Sequence, residues 1–69
     1  MKSGDVLKNG ATVLNYHYKA YEEIGVVLAK TDGYHPYVTW LANDGGDTFW
    51  GHYFETLAEA VEDYKERVR

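Results

Sequence analysis

The segment Tyr34-His35-Pro36-Tyr37-Val38-Thr39-Trp40-Leu41-Ala42, Asn43-Asp44-Gly45-Gly46-Asp47, Thr48-Phe49-Trp50-Gly51-His52-Tyr53-Phe54 decides the fold. Two runs rich in β-branched and aromatic residues flank a cluster of Asn, Asp and Gly, which is the composition of a β-hairpin. Pro36 stands near the start of the first run, where its missing N–H does least harm to a ladder. The pattern predicts strands over Tyr34–Ala42 and Thr48–Phe54. Directly after them, Thr56-Leu57-Ala58-Glu59 matches a capping box, in which the Thr hydroxyl and the Glu carboxylate satisfy first-turn N–H groups. A helix is therefore expected to begin at Leu57.

Upstream, Thr31-Asp32-Gly33 has the chemistry of a tight turn, and Gly25-Val26-Val27-Leu28-Ala29-Lys30 before it reads as a strand. Lys19 to Glu23 is polar apart from Tyr21 and reads as a connection. Ala11-Thr12-Val13-Leu14-Asn15-Tyr16-His17-Tyr18 is a further strand, introduced by Asn9-Gly10. Gly4-Asp5-Val6-Leu7 can pair with it as a short edge strand through the Lys8-Asn9-Gly10 turn. On the helix, Leu57, Val61, Tyr64 and Val68 recur at a period that places them on one stripe. Glu59, Glu62, Asp63 and Glu66 are expected on the opposite, solvated side, with Arg67 and Arg69 in the last turn, where the helix dipole favours cations. The expectation is a single α+β domain over 1–69: an antiparallel four-stranded meander, with room for a short extra N-terminal strand, and one C-terminal helix packed on one face. The other face is expected to stay open.

The composition limits what such a domain can do. The chain has 69 residues, no Cys, and 7 Lys+Arg against 11 Asp+Glu for a net charge of −4. Disulfides, thiolate chemistry and Cys-based metal ligation are excluded. So small a chain has little apolar side chain to spare for a deep cavity, which disfavours an enzyme. No run approaches the length of a membrane span, and Met1-Lys2-Ser3-Gly4-Asp5 leads into no signal-peptide apolar stretch, so a cytoplasmic location is expected.

No motif for catalysis, metal or cofactor emerges. His17, His35 and His52 lack the spacing of a helical zinc site, although His17 and His52 would become neighbours if their strands paired. Asp44-Gly45-Gly46-Asp47 fails the EF-hand pattern and is explained by a hairpin turn. Ser3 is the sole serine and has no His or Asp at a recognisable spacing. The carboxylates of the helix are read as solvated, without the burial that lifts a general acid's pKa.

The aromatic residues and the charges are more telling. Alternation puts Val38, Trp40 and Ala42 on one face and Tyr37, Thr39 and Leu41 on the other; in the last strand Phe49, Gly51 and Tyr53 oppose Trp50, His52 and Phe54. One helix cannot cover both faces, so some rings are expected in solvent, where they can serve as binding anchors. Residues 1–35 are charge-balanced, and the whole net charge falls beyond them, where Asp44, Asp47, Glu55, Glu59, Glu62 and Asp63 follow one another with no base between them. Such a surface attracts a basic partner.

The runs Tyr34-His35-Pro36-Tyr37-Val38-Thr39-Trp40 and Phe49-Trp50-Gly51-His52-Tyr53-Phe54, followed by Leu57 and Glu59-Ala60-Val61-Glu62-Asp63-Tyr64, resemble small phage and prophage proteins to which no activity is attached. Lys8-Asn9-Gly10-Ala11-Thr12-Val13 fits the same pattern. The resemblance implies a phage or mobile-element origin, a setting in which small acidic proteins often inhibit a host's nucleic-acid-binding protein, CRISPR inhibitors among them.

The expected function is a non-enzymatic module that docks on a partner protein. The residues expected to make contact are Tyr37, Trp50 and His52 on the sheet, Asp44 and Asp47 in the hairpin turn, and Glu59, Glu62 and Asp63 on the helix. Two alternatives are a single-stranded nucleic-acid binder stacking bases on Tyr37, Trp50 and His52, weakened by the lack of clustered Lys/Arg, and a structural homodimer pairing open sheet faces.

Overall fold

β-branched and aromatic residues build the sheet, and short polar turns reverse the chain after each strand. The computed structural model describes residues 1–69. It contains β1 (Thr12–Lys19), β2 (Ile24–Lys30), β3 (Tyr37–Ala42), β4 (Thr48–Phe54) and α1 (Leu57–Val68). The strands form one antiparallel sheet in the order β1-β2-β3-β4, and α1 packs across β2, β3 and β4. This is the four-stranded α+β meander with a C-terminal helix that the turn and capping signals predict. No helix is long and apolar enough to cross a membrane.

Five boundaries move. β1 is displaced by one residue at both ends, to Thr12–Lys19, and β2 begins at Ile24, which shortens the connection between them. β3 starts only at Tyr37: Thr31 N–H donates to the Pro36 carbonyl at 2.7 Å, folding Tyr34–Pro36 into the preceding loop. The N-terminal strand is reduced to one bridge between Val6 and Thr12, flanked by Gly4 N–H to Val13 O, Val13 N–H to Asp5 O and Leu7 N–H to Ala11 O, each 2.8 Å. At the helix start, the Thr56 hydroxyl accepts from Glu59 N–H at 3.3 Å and donates to the Glu59 carboxylate at 2.8 Å. The carboxylate thus takes the hydroxyl rather than a backbone N–H.

Bulges interrupt both edge strands. In β4, Leu41 faces Phe49 and Thr39 faces His52, so Trp50 and Gly51 together stand opposite Trp40. In β1, Val13 faces Ala29 and Asn15 faces Leu28, leaving Leu14 as the extra residue. An inserted residue reverses side-chain alternation from that point on. Phe49 therefore shares the helix-side face with His52 and Phe54, contrary to strict alternation. Bulges on both edges also blunt strand-to-strand pairing with other chains.

The face turned away from the helix is not open as expected. It holds the main apolar cluster, Ala11, Val13, Val27, Ala29, Val38 and Trp40, with Leu7 and Tyr16 packed against it. The N-terminal segment laps over it, and aromatic rings lie flat across glycines. A Cβ on Gly25 would run into the Tyr16 ring, and one on Gly51 would stand 2.7 Å from Trp40 Nε1. These close approaches require glycine. Trp40 meets Tyr53 edge to face at 6.2 Å and is 6% exposed.

Under the helix, Val26, Leu28, Thr39 and Ala60 are buried. Ala60 is the one fully buried helical residue, and Leu57 is 44% exposed. The inward stripe is therefore centred on Ala60, with Val61, Tyr64 and Val68 half-buried on one flank as expected and Asp63 and Arg67 half-buried on the other; of the expected stripe only Leu57 is exposed.

Candidate docking surface

The rotation of the helix brings two charged residues to the sheet. Asp63, expected on the solvated side, points inward. It accepts the Thr39 hydroxyl at 2.5 Å and lies 3.0 Å from His52 Nδ1, and Arg67 Nε stands 3.4 Å away. Thr39 is fully buried, so its hydroxyl needs this partner. Burial works against ionisation of Asp63, but hydrogen bonds from Thr39 and His52 and the charges of His52 and Arg67 outweigh it, and its pKa lies below the ordinary value.

Arg67 continues the chain of contacts: its Nη2 donates to the Trp50 carbonyl at 2.6 Å. Trp50 is the bulge residue of β4, with φ of 53°, in the left-handed region that costs a residue with a Cβ about 1 kcal/mol or more. Its ring touches Phe49 edge to face at 5.7 Å and is otherwise in solvent, 74% exposed. A bulge re-aims a side chain. Here it turns a tryptophan outward.

Beside Trp50 is a cleft of about 410 Å³ lined by Lys19, Glu22, Ile24, Leu41, Trp50, His52 and Arg67. Its cations are committed to the protein itself. Lys19 Nζ donates to the carbonyls of Arg67 and Arg69 at 2.9 and 3.0 Å, closing the helix C-terminus, and pairs with Glu22 at 3.1 Å. What remains for another molecule is the apolar surface of Ile24, Leu41 and Trp50 and the second nitrogen of the half-exposed His52. An Asp-held imidazole is how a general base is oriented. The hydroxyl within this network, that of Thr39, is buried and gives its proton to Asp63, so it is no nucleophile for His52.

The flank of the helix facing β4 adds charge to the same side. At about 100° per residue, Glu59 and Glu66 lie roughly 100–120° round from Ala60 in the direction of Asp63, and Glu62 somewhat further. All three are exposed. Glu62 and Glu66 are partly offset by Lys65 at 3.8 Å and Arg69 at 3.6 Å. Trp50, His52 and this acidic ridge thus share the β4 side of the molecule, with Asp63 beneath them as a support.

Three expected contact residues lie elsewhere. Tyr37 is half-buried at the start of β3, opposite Phe54. Asp44 and Asp47 belong to a turn held by the Asn43 side chain, which accepts from the N–H groups of Gly45 and Asp47 at 3.0 Å. The charge of Asp44 acts, after burial, to raise the pKa values of Tyr16 and Tyr18 on the far face, and Asp47 stands 3.8 Å from Lys8 of the N-terminal segment. His17 and His52 sit on opposite edge strands and do not meet.

The sequence marks Arg67 as a last-turn cation and as a neighbour that offsets Asp63, a pair the structure contains, but not as a donor to the sheet, and it gives Ile24 and Leu41 no part in the site. The signal for Arg67 was present in the spacing Ala60, Asp63, Tyr64, Arg67, a stripe in which an Asp–Arg pair one turn apart replaces apolar residues. No protein family, curated protein or solved structure matches the chain.

Proposed function

We propose that the protein is a non-enzymatic docking module that inserts Trp50 into a pocket of a basic protein partner and sets the ridge of Glu59, Glu62 and Glu66 against that partner's charge. The observation that carries this reading is the exposed tryptophan on a left-handed backbone. Glycine takes this backbone without cost, and a tryptophan kept there with its ring in solvent carries a strain that binding would offset. A rigid aromatic anchor beside an apolar cleft is the form that binding hot spots take, and acidic residues around it hasten encounter with a cationic surface. The resemblance to phage proteins and the acidic surface support a role in the cytoplasm as an inhibitor of a host protein that handles nucleic acid.

Direct binding of single-stranded nucleic acid is the weaker alternative, because Lys19 and Arg67 spend their donors on carbonyls and carboxylates of the chain itself. The deciding experiment is affinity capture from a lysate of the cell in which the protein acts, using wild type and Trp50→Ala in parallel. A retained basic protein that is lost with Trp50→Ala supports the reading. Equal retention by both contradicts it, as would quenching of Trp50 fluorescence by an oligonucleotide at low salt.

A further inference from the structure

We infer that Arg67, braced by Asp63, is a positioning residue that holds Trp50 in its outward, left-handed pose, so that the helix presets the anchor before any partner arrives; this rests on the reading of Trp50 as the docking residue. The geometry forms a continuous chain. Thr39 and His52 fix the Asp63 carboxylate, Asp63 faces Arg67 Nε, and Arg67 Nη2 grips the Trp50 carbonyl at 2.6 Å. Arg67 is deeply buried for a charged residue, its side chain 12% exposed, and its Nη1 is buried without a partner. Sequestering a guanidinium in that way is costly unless its other nitrogens do something specific. Nε faces Asp63, and Nη2 meets the carbonyl of Trp50, one of the two residues that carry a Cβ on a left-handed backbone. A ring held outward in advance loses less freedom on docking, and affinity rises accordingly.

Two readings on the protein alone test the inference. A left-handed φ brings a residue's amide proton close to its own Hα and gives a strong cross-peak between them in nuclear Overhauser spectra. Arg67→Met keeps the aliphatic stem and removes the donors. It is expected to weaken that cross-peak at Trp50 while leaving the one at Glu23, the other left-handed residue with a Cβ at φ 56°, unchanged. An undiminished Trp50 cross-peak overturns the inference.

A thermal double-mutant cycle with Trp50→Gly covers the case in which Arg67→Met unfolds the domain. Glycine adopts this φ without penalty, so nothing then needs holding. Arg67→Met is expected to lower the Tm less than about half as far in the Trp50→Gly background as in wild type. Equal drops, or loss of folding in both backgrounds, overturn the inference. Neither reading involves a partner, so either can fail while Trp50→Ala still abolishes capture, and the reverse also holds.

Discussion

Trp40 and Trp50 lie across from one another on neighbouring strands, yet one is sealed and the other is held out. Trp40 lies flat over Gly51 on the face that the N-terminal segment covers, and its neighbours are Val27, Val38 and Tyr53. Trp50 occupies the bulge that makes room for Trp40, on the side where the helix supplies Asp63 and Arg67 instead of apolar residues. The difference teaches that aromatic content alone does not make a binding face. A single inserted residue in β4 separates a structural ring from an available one.

The largest effect is expected at the sealed ring. Trp40→Ala removes the widest member of the main core and should cost about 3–5 kcal/mol in denaturant unfolding. A loss under about 1 kcal/mol would mean that the covered face is not the centre of stability. Next comes Gly25→Ala, which drives a methyl group into the Tyr16 ring and is expected to cost about 1–3 kcal/mol, because the ring must leave the cluster it shields.

The helix side should respond to acid. The pKa of Asp63 is lower in the folded chain than its unfolded value, so its contribution is complete above the usual Asp pKa of about 3.9 and disappears as pH falls through the folded value. Acid unfolding of wild type should be steeper in this range than that of Asp63→Asn; curves of identical shape would remove the carboxylate from the account. The smallest effect on stability belongs to Glu62→Lys with Glu66→Lys, within about 1 kcal/mol because both are exposed, neither caps the helix, and their ion pairs with Lys65 and Arg69 lie at the surface. The same pair should slow association with a basic partner and weaken its salt dependence, measured by stopped-flow mixing.

The sheet order, the hairpins and the start of the helix were legible because they rest on local chemistry: Asn and Gly in turns, Thr56 at the cap, β-branched runs between. The two bulges were less so. Gly51 inside the last aromatic run is a bulge signal that strict alternation passes over, whereas Val13-Leu14-Asn15 carries no glycine and its extra residue shows only against a partner strand. The covered face was hidden for a similar reason, since the lapping of Leu7 and Ala11 over Val27 and Val38 is a long-range contact. Of the candidate site, Trp50, His52, Glu59 and Glu62 could be read from residue type. The inward turn of Asp63 could not, because a stripe built on large apolar residues points to Leu57 and Val61, whereas close approach of the helix to the sheet selects the small Ala60 as its centre.

Substituting Trp50 by glycine puts the central claim to the test in one protein, by measuring unfolding free energy and partner capture side by side. Relief of the left-handed strain should offset the lost contact with Phe49, so stability should stay within about 1 kcal/mol of wild type while capture is lost. A variant that unfolds, or one that still retains the partner, would show that Trp50 serves the fold and not the encounter.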